Sequence, residues 1–212
     1  MFKRVLTEKK MSQRKGLYRL LEIPLVYNFV QWIFWHKESR NAWYTLLKDH
    51  ENKIILDVGC GFGKESVFFR NSKKYVGIDI LKTSIVSAKI HYSNYGDFYC
   101  CPIEKIDQLP IKDIDLVVLR GVFHHLSDSV IDEFLVKIKS KMTAKGTICS
   151  LDTVFVGKRM VGNMVASLDR GKFVRTASDL RNIVSNRMRI KSEQTIIQKF
   201  PPFQRILLEI IK

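Results

Sequence analysis

From Lys53 onward, the hydrophobic residues of the chain occur in short runs that are rich in β-branched and aromatic side chains. These runs cover residues 54–58, 75–80, 98–101, 116–119 and 147–151. The stretches between them are long enough for a helix that crosses from one strand to the next. This alternation predicts an α/β domain in which a mostly parallel sheet is covered by helices on both faces.

The segment between the last two runs carries the signals of a helix. Ser127 or Asp128 is expected to be its N-cap, and Lys145-Gly146 its end. Apolar residues recur there at intervals of three and four, as they do on the buried face of a helix: Ile131, Phe134, Leu135 and Ile138.

The C-terminal part of the chain predicts one more helix and two more strands. The helix is expected to begin near Ser178. The tail, IKSEQTIIQKFPPFQRILLEI, is typical of two strands joined by Pro201-Pro202. Because proline cannot donate to a strand ladder, this connection favours an antiparallel hairpin at a sheet edge.

The first part of the chain, residues 1–52, is interpreted as an N-terminal helical extension. Two or three helices are expected between Tyr18 and His50, with Ser39 as the N-cap of the helix that carries Trp43. Residues 25–35, LVYNFVQWIFW, are apolar nearly all the way round, so this segment must be covered. Packing on the main domain is the first interpretation; a substrate lid, a dimer contact and a membrane-surface contact are the alternatives.

Length and cysteine content agree with one reduced, intracellular domain. A chain of 212 residues can bury one sizeable core, so residues 53–212 are interpreted as a single domain. The four cysteines form no CxxC pair, which favours a cytoplasmic protein without disulfides or a metal site. No signal peptide or transmembrane helix is expected.

The positive charge of the chain is concentrated at its two ends. Residues 1–20 carry +6 and residues 157–212 carry +8, while the centre carries only +1 of the total of +15. Any anion-attracting surface should therefore come from the termini. Solvated lysine and arginine side chains without a partner are the alternative.

A buried strand runs into a glycine-rich loop at residues 54–66, IILDVGCGFGKES, and a helix is expected after it. Glycines at alternating positions allow unusual backbone dihedrals and let a ligand approach the main chain. A dinucleotide-binding GxGxxG would need glycine where Lys64 or Ser66 stands, and no phosphate-binding GxxxxGK[ST] occurs. The loop therefore predicts a ligand site at the carboxyl ends of the strands, but not for a dinucleotide.

This loop resembles the first motif of the class I methyltransferases that use S-adenosyl-L-methionine (SAM). The resemblance implies a Rossmann-like fold with a seven-stranded, mostly parallel sheet and an antiparallel edge hairpin. It also implies that Gly59, Cys60, Gly61 and Gly63 lie under the methionine part of the cofactor. Asp57 is expected to act there through the loop backbone and the cofactor amino group; capping of the turn is its alternative role.

Three further segments are similar to motifs of the same family, in the family's order. In VGIDI, Asp79 is expected to accept both ribose hydroxyls, since a carboxylate takes two donors at once, with Ile80 beside it. Pro102-Ile103-Glu104 resembles the adenine-contacting segment. Residues 115–126, DLVVLRGVFHHL, resemble the fourth motif of small-molecule methyltransferases.

The end of the fourth motif supplies candidate catalytic groups. His124 or His125 could act as a general base, because the ordinary pKa of histidine lies near neutrality. An architectural role for the pair is the alternative, since orientation and desolvation can carry much of a methyl transfer. Arg120 is expected to bind the cofactor carboxylate or a substrate anion, or else to pair with a nearby acid.

A basic segment follows the fifth strand, where the family inserts substrate-specific structure. Within an insertion at about residues 157–176, Arg170 and Arg175 could bind a phosphate or carboxylate through paired hydrogen bonds. An exposed Asp-Arg-Gly turn is the alternative. Together these features predict transfer of a methyl group from SAM to an O or N atom of a small or lipid-linked, anionic acceptor. An RNA or DNA methyltransferase and a SAM-binding protein without activity are the rival hypotheses.

Overall fold

The computed structural model describes residues 37–155, 172–198 and 203–212. Residues 37–212 belong to one compact unit, and residues 1–36 lie outside the described residues. The unit that holds the sheet thus includes the helix that carries Trp43. The predictions for residues 25–35, for Arg170 and for Pro201-Pro202 also fall outside the described residues.

The sheet has the topology that the resemblance implies. Its order is β3-β2-β1-β4-β5-β8-β7, with β6 paired to β5 off this path. The pairs among β1 to β5 are parallel, as is β5 with β6, whereas β8 is antiparallel to both β5 and β7. The strands are β1 Ile54–Val58, β2 Lys74–Asp79, β3 Asp97–Cys100, β4 Ile114–Arg120, β5 Met142–Phe155, β6 Arg175–Thr176, β7 Arg189–Gln198 and β8 Phe203–Ile211.

The predicted C-terminal hairpin is present, and its two strands differ in burial. β7 is the edge strand and is mostly exposed. β8 lies between β5 and β7, and consecutive side chains from Ile206 to Leu208 are buried, as expected of a strand covered on both faces. The hairpin therefore contributes to the core mainly through β8.

The described helices are α1 Lys37–Leu46, α2 Lys82–Tyr92, α3 Asp128–Lys141 and α4 Ala177–Ser185. The Ser127 side chain accepts from the backbone N–H of Val130 at the start of α3, and the predicted apolar face of this helix is buried. The expected N-cap Ser39 instead lies inside α1, where it is buried. Among the described helices, none combines the length and apolar character needed to cross a bilayer.

The predicted end of α3 is wrong. α3 ends at Lys141, before Lys145-Gly146, because β5 already begins at Met142. A Cβ atom on Gly146 would stand 2.8 Å from the Ile114 carbonyl oxygen, so this glycine permits close strand contact and does not cap a helix.

The segment after the glycine loop also differs from expectation. A 3₁₀ turn at Lys64–Val67 and a series of turns connect β1 to β2, where an α-helix was predicted. The Ser66 hydroxyl donates to the Gly63 carbonyl oxygen at 2.6 Å, and Phe69 is fully buried. The Ser66 hydrogen bond and the buried Phe69 ring hold this short connection in place. The glycine loop is therefore stabilised by contacts with residues that lie close to it in sequence.

Candidate cofactor site

The glycine loop lies at the carboxyl ends of β1 and β2, where open α/β sheets bind ligands. Gly59 and Gly63 have φ values of 77° and 81°, in the left-handed region that other residues avoid. A Cβ atom on Gly59 would lie 2.8 Å from Val122 Cγ2. The Gly59 N–H donates to the Ile78 carbonyl oxygen at 2.8 Å, which ties the loop to the end of β2.

Asp79 ends β2 and lies directly beside this loop. Its Oδ2 accepts from the Gly61 N–H at 3.0 Å and its Oδ1 from the Leu81 N–H at 2.8 Å. Burial raises the pKa of Asp79, and the backbone donors lower it in part. Each carboxylate oxygen has a second lone pair, so Asp79 can still accept two ligand hydroxyls from a fixed orientation.

Asp57 lies in β1, one residue before Val58, and is buried. The Tyr75 hydroxyl donates to its Oδ2 at 2.5 Å. Burial raises the pKa of Asp57 to about 7, and the Tyr75 hydrogen bond opposes this shift. Sequence reasoning missed Tyr75, although side-chain alternation along β2 already places Tyr75 and Asp79 on one face of the sheet.

The remaining predicted cofactor residues surround the ends of β1 to β3. The Cys60 thiol is buried, and it would lie 2.9 Å from a Cβ atom on Gly77, so it packs inside the loop. Burial strongly raises the pKa of this thiol, which disfavours a nucleophilic role. Ile103 is buried, whereas the Ile80 and Glu104 side chains are exposed.

Arg120 at the end of β4 pairs with an acid of the protein. Its Nη1 lies 2.8 Å from Glu65 Oε1, on the turn after the glycine loop. The Tyr44 hydroxyl donates to the same oxygen at 3.1 Å and Trp43 Nε1 donates to the other at 3.5 Å. The structure thus favours the alternative of an internal ion pair for Arg120. Glu65 connects α1 to the loop, a role with no local sequence signal.

The two histidines after β4 have different environments. His124 is buried, and its Nδ1 is hydrogen-bonded to Asp152, whereas His125 is exposed. Asp152 also accepts from the backbone N–H groups of Val122, Phe123 and His124, at 3.2, 2.8 and 3.0 Å. This geometry favours the architectural alternative for His124, because its imidazole helps to hold the loop.

The charge of Asp152 stabilises this loop. Burial alone would raise the pKa of Asp152, but the His124 imidazole and the backbone donors outweigh burial, and the pKa is lowered. Asp152 directly follows the predicted fifth strand, residues 147–151, and no role was predicted for it. Its contacts span about thirty residues of sequence, so no local pattern could have identified them.

Arg175 also has an internal role, which corrects its assignment to acceptor binding. Its Nη1 donates to the carbonyl oxygens of Phe123 and Phe173 at 3.0 and 2.7 Å, and its Nη2 to that of Leu126. Nε donates to Asp128 at 2.6 Å, and Nη2 also contacts that carboxylate. These hydrogen bonds use four of the five guanidinium donors. Arg175 thus fastens the end of the insertion to the loop after β4.

Arg175→Gln is expected to lower the free energy of unfolding by roughly 2–4 kcal/mol, because it removes several hydrogen bonds to partly buried carbonyl oxygens and a close ion pair with Asp128. Urea unfolding at pH 7 measures this loss. Arg181→Gln removes an exposed arginine that pairs with Glu193, and should change stability by less than about 0.5 kcal/mol. Unchanged stability of Arg175→Gln would return this residue to acceptor binding.

Comparison with known proteins identifies the family of this chain. Residues 49–200 match the family model described as "Methyltransferase domain". An uncharacterised methyltransferase of Anoxybacillus flavithermus is 31% identical over 69% of this chain and 70% of its own length. A ubiquinone biosynthesis O-methyltransferase of Rhodopseudomonas palustris is 32% identical over 58% of this chain and 48% of its own. The chain spans about half the length of the ubiquinone-related proteins that it matches.

Solved structures with a similar fold include two further proteins. YcgJ of Bacillus subtilis superposes with a TM-score of 0.66 at 14% identity, covering 84% of this chain and 99% of that protein. The N-methyltransferase NodS of Bradyrhizobium japonicum, crystallised with S-adenosyl-L-homocysteine, gives a TM-score of 0.65 at 14% identity, with 82% and 87% covered. The chain therefore belongs to the methyltransferase domain family and has the fold of SAM-dependent methyltransferases.

Proposed function

We propose that this protein transfers a methyl group from SAM to an oxygen or nitrogen atom of a small or lipid-linked, anionic acceptor. The observation that carries the proposal is the arrangement of Asp79 on the glycine loop, with one carboxylate oxygen bonded to Gly61 N–H and the other to Leu81 N–H. Such a carboxylate is already oriented before a ligand diol arrives, so little ordering remains to be done on binding.

The residues at the site fit the parts of this cofactor. Asp79 would accept the ribose hydroxyls, Asp57 would accept from the amino group, and the backbone of Gly59, Gly61 and Gly63 would hold the methionine part. Ile103 and Ile80 offer apolar surface for the adenine ring. SAM supplies an electrophilic methyl group on a sulfonium, so the protein has to orient the acceptor atom and exclude water.

The acceptor is proposed to present a hydroxyl group. Relatives named for O-methylation in ubiquinone biosynthesis support this choice. His125 is the exposed histidine at the loop after β4, and we assign it the role of a general base for that hydroxyl. Arg170 remains the proposed partner for an acceptor anion.

Nucleic acid is the less favoured acceptor because several C-terminal cations are neutralised within the protein. Arg187 forms two hydrogen bonds with Asp132, at 2.6 and 2.8 Å. Lys191 pairs with Glu209 and Arg181 with Glu193, each at 2.7 Å. Paired cations release few counterions from a phosphate backbone, so this part of the chain offers less nucleic-acid affinity than its formal charge suggests.

Asp79→Asn is expected to weaken binding of SAM and of S-adenosyl-L-homocysteine (SAH) by about 10- to 100-fold, corresponding to roughly 1.5–3 kcal/mol for the loss of a charged acceptor. Calorimetry on the wild type and the variant measures the change. Asp97→Asn alters an exposed acid on β3 and serves as the matched control. A folded wild-type protein that binds neither ligand refutes the proposed function; normal binding by Asp79→Asn refutes only the role of Asp79.

A further inference from the structure

Tyr75 occupies a fixed position beneath the glycine loop. It is almost fully buried, and its ring packs between Phe69 and Phe98, with centroid distances of 5.7 and 5.9 Å. A Cβ atom on Gly96 would stand 2.5 Å from Tyr75 Cδ1, so the backbone there also approaches the ring closely. These contacts direct the Tyr75 hydroxyl to Asp57 Oδ2, at 2.5 Å.

Packing alone does not account for a tyrosine here. Phenylalanine would fill the same space between two aromatic rings, and a buried hydroxyl is costly unless it is hydrogen-bonded. Burial, followed by the charge of Asp57, raises the pKa of Tyr75 well above its ordinary value of 10, so the hydroxyl remains a donor throughout the accessible pH range. Its partner Asp57 receives no other hydrogen bond within the described part of the chain.

The charged groups near Asp57 lie on the turn after the glycine loop, on β2 and on β4. Glu65 on the turn and Asp79 on β2 are acids and disfavour its charge, whereas Arg120 on β4 favours it. The buried Cys60 thiol is also near, and it remains neutral because burial raises its pKa. Against burial and two acids, Tyr75 and Arg120 are the groups that favour the carboxylate form.

We propose that Tyr75 is a positioning residue that holds the Asp57 carboxylate in the orientation and charge state required to bind the ammonium group of the cofactor. This inference rests on the proposed function, because it assumes a ligand with an ammonium group at Asp57. Tyr75 acts only through Asp57 and does not itself touch the ligand.

The proposal has a specific pH signature. An ammonium group binds the ionised form of Asp57, so affinity falls when the carboxyl is protonated. The pKa of Asp57 is about 7 with the Tyr75 hydrogen bond, which lowers it, and should therefore be higher without that bond. Removing the hydroxyl should reduce affinity by a constant factor, from lost orientation, where Asp57 is ionised in both proteins, and by a larger factor at lower pH.

Calorimetric titration of Tyr75→Phe and of the wild type with SAH between pH 6 and 9 tests this signature. The ratio of the two dissociation constants cancels the titration of the ligand's own amine. We expect the ratio to be lowest at pH 9 and to rise by about another tenfold at pH 6, which corresponds to a pKa shift of about one unit. A ratio that does not vary with pH overturns the role of Tyr75 while the proposed function stands.

Tyr99→Phe is the matched control. This substitution also removes a tyrosine hydroxyl, but on β3 and on the sheet face opposite to that of Phe98. The ratio of its dissociation constant to that of the wild type should be near one at every pH. An equal pH-dependent loss in this control would contradict the proposal. Absence of SAH binding by the folded wild type would overturn the proposed function and the role of Tyr75 together.

A second measurement covers the case in which Tyr75→Phe folds poorly. If the hydroxyl acts through the charge of Asp57, the double variant Asp57→Asn/Tyr75→Phe should fold, because the buried carboxylate is gone. Thermal unfolding of the single and the double variant shows whether each of them folds. Failure of the double variant to fold would assign Tyr75 to packing and overturn the proposal.

Discussion

Asp57→Asn is expected to make the folded protein more stable above pH 7 while it removes most of the affinity for SAM. The pKa of Asp57 rises from its ordinary value of 3.8 to about 7 on folding, chiefly through burial. The folded state therefore binds more protons than the unfolded state between these values, and wild-type stability falls as pH rises from about 4 to 7. Asparagine has nearly the same shape but no charge, so it removes the cost of ionising the buried carboxyl. This cost is at most ~4 kcal/mol.

Urea unfolding of the wild type and of Asp57→Asn across pH 4 to 8.5 measures the effect. The two stabilities should coincide near pH 4, separate in favour of the variant as pH rises, and differ by a constant amount above pH 7. The contribution of Asp79 is common to both proteins and cancels. Asp107→Asn changes an exposed acid and should show no such trend. If Asp57→Asn were less stable than the wild type at pH 8, the buried Asp57 carboxylate would not be a destabilising charge, and the prediction would be wrong.

The parts of the site that follow from sequence are those in which a short segment determines its own geometry. The strand from Ile54 to Val58, the glycine loop and Asp79 carry their signal in hydrophobic runs, glycine spacing and a terminal acid. Because parallel strands end at one edge of the sheet, these segments also meet where sequence predicts. To these segments the structure adds the backbone donors that orient Asp79 and the Tyr75 hydroxyl that donates to Asp57.

The interactions that sequence could not predict are pairings between distant segments. Arg120 and Glu65 are 55 residues apart in sequence, and Arg175 and Asp128 are 47 apart. Each residue looks locally like an exposed charge available to a ligand. The parallel pairing of β1 with β4, and the packing of the segment before α4 against the loop after β4, bring these charges together.

The strand boundaries were missed for a related reason. The sequence predicts only the apolar centre of β5, residues 147–151, whereas the strand runs from Met142 to Phe155. Its additional residues pair with β4 at one end and with β6 and β8 at the other. Strand length is thus set by the neighbours in the sheet, which local propensity does not report.

Asp152→Asn is expected to reduce the free energy of unfolding by roughly 3–5 kcal/mol, because it leaves a buried network without its charge. Three backbone N–H groups donate to this carboxylate, which is also hydrogen-bonded to the His124 ring. In Asp152→Asn the side-chain NH₂ group would face some of these donors and could not accept from them. Since the pKa of Asp152 is lowered on folding, the wild-type advantage should be complete at neutral pH and should shrink as pH falls below about 4.

The same loop carries both histidines, so a pair of variants separates architecture from catalysis. His124→Ala should lose stability as Asp152→Asn does, because it removes one partner of the buried network. His125→Ala should unfold like the wild type, and its methyl-transfer rate should fall if His125 acts as the general base. Urea unfolding and turnover are measured on the same preparations. Equal stability of His124→Ala and His125→Ala would rule out the architectural role assigned to His124 and restore it as a candidate base.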